Sequence, residues 1–155
     1  MNAKPMKKIL FMLLMLLTFQ AAQAADLVVE NAWVRLSPPV AQSTAAYVVI
    51  RNTGSENVKM IAVSCDVAAS VSLHSMHMNG KRMVMSQIPE MEIPANGEVQ
   101  LTPGGSHVML MGLKYPLKEG QMVEIVFHLS NGEALTVMAP VRDMRASHGH
   151  HNSMH

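Results

Sequence analysis

One cysteine, Cys65, serves the whole chain. A lone thiol cannot close an internal disulfide, and without a Cys-x-x-Cys there is neither a redox-exchange pair nor a thiolate zinc site. Cys65 lies in an apolar stretch, 60–67, where a buried, inert thiol is the expected role. Convincing amphipathic helical segments, internal repeats and a second long apolar run are also missing. So are a nucleophile–base–acid set, a phosphate-binding glycine loop and a zinc-protease helix, which argues against an enzyme. Asp66, Glu90 and Glu92 show no paired-carboxylate spacing. Aromatics number only six, against sixteen methionines and eight histidines.

The start of the chain has the form of an export signal. Lys4, Lys7 and Lys8 precede the apolar run 9–17, and Ala22-Gln23-Ala24 supplies small residues at cleavage positions. That run is far short of the roughly 20 residues a membrane span needs. Residues 1–24 are therefore expected to be a signal peptide cleaved near Ala24, leaving a soluble exported protein. No cysteine stands near that site to carry a lipid. Loss of the three lysines turns a formal charge of +1 into about −2, and nothing in the chain resembles a basic nucleic-acid surface.

From residue 27 onward short β-type runs alternate with turn residues. Nine strands are expected, at 27–36, 45–52, 58–64, 71–78, 81–88, 98–102, 107–112, 121–130 and 133–141. Regular spacing of this kind predicts a single all-β domain, 25–145, built as an antiparallel sandwich. Residues 146–155 lack apolar periodicity and are expected to form a flexible tail. Its His148, His150, His151, Met154 and His155 offer secondary metal ligands, with copper(II) a candidate there. Interruption of the histidines by Gly, Asn, Ser and Met favours a native tail over the remnant of an expression tag.

Chemistry concentrates in two places. In the hairpin 71–88, Asn79-Gly80 suits a two-residue type I′ turn. Such a turn would set Met76 opposite Met83 and His74 opposite Met85, with Cβ atoms about 4.5–5.5 Å apart. Leu73 and Val84 would then serve the core from the other face, while His77, of opposite parity to His74, points away. Farther on, His107 and Met109 share a strand face, preceded by Gly104-Gly105 for a tight bend. Two imidazoles and two thioethers, His74, Met85, His107 and Met109, make a donor set that suits copper(I), because thioether sulfur is a poor ligand for zinc, magnesium or calcium. Met76 and Met83 are possible auxiliary ligands, or rim packing. His128 reads as an outer-face residue and Trp33 as a core or edge anchor. Arg35, Arg51 and Arg142 have no evident ionic partner and default to solvated roles.

With these residues in view, the chain resembles the periplasmic PCu(A)C copper chaperones. His74, ten residues, Met85, twenty-one residues and His107-Val108-Met109 reproduce that family's H-x10-M-x21-H-x-M spacing. Ala32-Trp33-Val34-Arg35, the run 101–113 and the run 116–120 extend the likeness across the domain. The resemblance implies a cupredoxin-like sandwich binding one copper(I) at His74, Met85, His107 and Met109. It also implies delivery to the binuclear copper site of cytochrome c oxidase, alone or beside a Sco-type thiol protein. A monomer is expected.

Two other readings compete. A copper store, or an adhesive sandwich with incidental metal affinity, would use the extra methionines and the tail for capacity. An electron-transfer cupredoxin would need a cysteine thiolate with two histidines, and Cys65 has no histidine within eight residues on its C-terminal side. Copper(II)-treated protein is accordingly expected to lack intense thiolate-to-copper absorption in the visible. A blue colour that disappears in Cys65→Ser would restore the electron-transfer reading.

Overall fold

The computed structural model describes residues 26–145, so the signal segment and the tail with His148, His150, His151, Met154 and His155 lie outside the described residues. Ten strands follow one another: β1 (Leu27–Arg35), β2 (Ser43–Asn52), β3 (Val58–Ser64), β4 (Ala68–Asn79), β5 (Arg82–Ile88), β6 (Met91–Ile93), β7 (Glu98–Leu101), β8 (His107–Leu113), β9 (Met122–Leu129) and β10 (Ala134–Arg142). Nine coincide with the expected runs. The tenth, β6, is three residues between Pro89 and Pro94, too short to show an alternation of its own.

Strand order is β5-β4-β8-β2-β1-β10-β9-β3-β6, with β7 also paired to β2. The path folds into two layers that share one core. Val34, Ile50, Leu73, Val108 and Leu110 come from one layer; Met60, Ile93, Phe127, Val137 and Val141 come from the other. Strand β9 shows why these segments adopt this form. Val123, Ile125, Phe127 and Leu129 alternate inward, while Met122, Glu124 and His128 remain exposed, as period-two side-chain placement requires. The all-β, cupredoxin-like sandwich thus stands. All pairings are antiparallel but one: β1 runs parallel to β10, with Val34 beside Val141.

A one-residue register shift between Glu30 and Trp33 breaks the β1–β2 ladder, and Asn31 there takes φ 53°. An extra residue reverses which side chains face inward beyond it. Val34 consequently enters the core, and Trp33 packs on Tyr47 at the outer face with ring centroids 4.6 Å apart. Arg51, expected to be unpaired, instead lies 3.3 Å from Glu98, its direct partner on β7, and 3.5 Å from Glu30, which lies diagonally across on β1.

The end of β2 is held by Asn52, which is 1% exposed. Its Nδ2 donates to the carbonyls of Glu56 (2.7 Å) and Ile93 (3.2 Å), and its Oδ1 accepts from Gly54 N–H (2.9 Å). Asn52→Asp would set a buried carboxylate oxygen against those two carbonyls. It should destabilise the domain by about 3 kcal/mol or more, read as a lower urea midpoint at unchanged slope.

Candidate metal centre

The site begins with a turn. Strand β7 pairs with β2 over residues 48–51 and β8 pairs with β2 over 43–46, so both lie along the same edge of β2. The chain between them bends at 102–106, where Thr102 N–H donates to Ser106 O (2.9 Å), Gly105 N–H to Thr102 O (3.0 Å), and Gly104 takes φ 82°. Glycine tolerates that left-handed conformation without steric cost. The bend delivers His107 as the first residue of β8, directly opposite His74 on β4. The two rings lie 5.8 Å apart between centroids, inclined by 28°.

Two residues along β8, Met109 occupies the same face, opposite Ser72. The β4–β5 hairpin differs from expectation. Asn79 pairs with Arg82, so Gly80 and Lys81 form the loop, and Gly80 alone takes a positive φ, 63°. Glycine at the first loop position is the pattern of a type II′ turn rather than the type I′ turn that Asn79-Gly80 suggests. Partners therefore slide by two residues. Met85 faces Met76, Met83 faces Met78, and His74 faces Gln87 instead of Met85. A two-residue slip preserves parity, so all the candidate donors stay on one face. His74 and His107 form the centre, with Met109 on one side along the strands and the Met76–Met85 pair on the other. Met76, His107 and Met109 line a cavity of about 910 Å³ together with Tyr47, Pro38 and Pro39.

Exposure grades across this patch. His107 is 8% exposed, while Met85 is 46% and Met83 54% exposed. The methionines of β5 meet solvent, and His107 does not. Each imidazole has one nitrogen taken. His107 Nδ1 donates to Gly105 O at 3.0 Å, which leaves Nε2 with its lone pair. His74 Nε2 shares a hydrogen bond with Ser72 Oγ at 2.9 Å, and His74 Nδ1 is buried with no partner. Ser72 gave no signal in the sequence beyond its position two residues before His74 on the same face. Among the described residues no three His, Cys, Asp or Glu side chains cluster to hold a metal, and the soft donors that share this face with the two imidazoles are thioethers.

The remaining residues stay apart from this face. His77 is exposed with opposite parity, and His128 on β9 is hydrogen-bonded to Ser64 Oγ at 3.0 Å. Cys65 follows β3, and its partial burial pushes the thiol above its usual value, which suits an inert thiol.

Residues 27–141 match the family described as "Putative lipoprotein LpqE-like". The "Putative lipoprotein Lxx21020" of Leifsonia xyli subsp. xyli (strain CTCB07) is 36% identical over 122 residues, 78% of this chain and 72% of that protein. A copper-bound PCuAC domain from PmoF2 superposes with a TM-score of 0.66 at 21% identity, over 77% of this chain and 96% of that one. The copper(I) form of DR1885 from Deinococcus radiodurans gives a TM-score of 0.60 at 38% identity, over 81% of this chain and 84% of that one. The fold is therefore that of the PCuAC domains. The chain belongs to the LpqE-like family.

Burial pushes the His74 imidazole below its ordinary 6.5, and the facing His107 pushes it further the same way. The unfolded chain then binds more protons than the folded one near and below pH 6.5, so stability rises with pH there. Metal-free protein should hold this contribution above pH 6.5 and lose it as pH falls through that value toward the lowered one. Urea unfolding at pH 7.5 and 5.5 should show a larger loss for wild type than for His74→Gln. Equal losses would contradict it.

Proposed function

We propose that this protein is a periplasmic copper(I) metallochaperone, exported with cleavage near Ala24. It carries one ion on His74, Met85, His107 and Met109 and gives it to a recipient. The observation that carries this reading is the buried, unpartnered Nδ1 of His74 beside His107, in a face bordered by thioethers. Neutral imidazole and thioether donors favour a soft monovalent ion over zinc or magnesium. The lipoprotein description of the relatives and the copper in DR1885 and the PmoF2 domain support an envelope protein that handles copper.

The geometry suits release as well as capture. One imidazole is held at the start of β8 and the other opposite it on β4, whereas Met85 lies on the edge strand β5 at 46% exposure. A recipient approaching that edge would displace thioethers first. Its cysteine thiolates would then replace neutral ligands with charged ones, which draws copper(I) onward. The binuclear copper site of cytochrome c oxidase, alone or beside a Sco-type thiol protein, is the recipient the family resemblance implies. The protein acts as a monomer and is not an enzyme. Met76 faces Met85 and borders the same cavity as His107 and Met109, which makes it the foremost auxiliary donor. The exposed Met78 and Met83 give the storage reading its one structural support.

Titration of the mature domain with copper(I) against a chromogenic chelator should give one ion per chain. His74→Ala, His107→Ala and Met109→Ala should each weaken binding by at least tenfold. Met76→Ala and Met85→Ala should each cost less than the double variant, because the two thioethers face one another. Undiminished stoichiometry and affinity in the histidine variants would remove the assignment. Several ions held by the tail-deleted domain would favour storage.

A further inference from the structure

The two histidines are anchored in opposite senses. His107 gives its Nδ1 to the Gly105 carbonyl, an acceptor only, so that nitrogen carries the proton and Nε2 is free. His74 is turned the other way: its Nε2 is taken by Ser72 Oγ, and the unpartnered atom is Nδ1. A serine hydroxyl can donate or accept, so two tautomers of His74 are conceivable. If the hydroxyl donated to Nε2, the proton would sit on Nδ1 as a buried donor with no acceptor, an arrangement folded proteins avoid. If Nε2–H donates to Ser72 Oγ, Nδ1 presents a buried lone pair instead. A metal ion completes only the second arrangement.

We infer that Ser72 is a positioning residue that holds His74 in the Nε2–H tautomer, so that copper(I) is taken by Nδ1 of His74 and Nε2 of His107. The inference rests on the proposed copper site and deepens it. Unlike nitrogens also suit the register. His74 and His107 are direct cross-strand partners, and their Cβ atoms are expected only about 5 Å apart. Nδ1 lies close to its own Cβ and Nε2 lies at the far end of its ring, so one short and one long reach meet an ion beside β4 rather than midway above both strands. Hydrogen bonds to the non-ligating nitrogen of a metal-bound histidine fix its tautomer and orientation, and their loss typically costs 10–100-fold in metal affinity. Ser72 is also the β4 residue opposite Met109, so the residue that would orient one imidazole borders one of the thioethers.

The test is two-part. Long-range ¹H–¹⁵N correlation of the metal-free full mature chain at neutral pH should show His74 protonated at Nε2 and His107 at Nδ1. Addition of copper(I), or of silver(I) as a redox-inert probe, should shift Nδ1 of His74 and Nε2 of His107. Ser72→Ala should lose the single tautomer and bind copper(I) at least tenfold more weakly, while Ser72→Thr, which keeps the hydroxyl, should restore both. A copper(I)-induced shift at His74 Nε2 would overturn the inference and leave the copper site standing, as would a Ser72→Ala protein unchanged in tautomer and affinity. A His74 ring indifferent to copper(I) would overturn both.

Discussion

Everything at the candidate site depends on the antiparallel register of β4 and β8. It alone makes His74 and His107 neighbours, although thirty-two residues separate them in the chain. That register is fixed from two sides. On the core face Leu73 and Val108, also direct partners, are both buried, so a slip of one residue would turn the apolar set outward. On the chain itself, the 102–106 bend determines where β8 starts and so which residue stands first against β4. Core packing thus decides the pairing, and the imidazoles inherit it.

Much of this could be read from the residues, and the exceptions have physical causes. Strand positions and inward faces follow from period-two alternation, which β9 displays without interruption. The face shared by His74, Met76, Met85, His107 and Met109 was equally legible, since parity is local. Register was not. Asn79-Gly80 and Gly80-Lys81 are both acceptable two-residue loops, and only the packed hairpin selects the second. Strand β6 escaped because three residues between prolines carry no pattern. Asn31 hid a bulge that redirects Trp33. The contact of Ser72 with His74 is a side-chain event that no spacing rule reports.

The donor chemistry and the exposure gradient describe one design. Imidazoles anchored by a backbone carbonyl and a hydroxyl give the site a rigid half. Thioethers on the solvent-facing hairpin give it a soft, accessible half. Cys65, apart from both and with its thiol proton held by burial, leaves the face free of a competing charged sulfur.

The parallel contact between β1 and β10 bears on the order in which this molecule can be made. The first strand cannot gain its second neighbour until the last one has been synthesised. Such distant pairing slows folding, and a nascent chain emerging from the ribosome stays open along that seam until its end is free. An unfolded polypeptide is what a translocation pore requires, so a sheet whose circuit closes last would suit the export proposed above.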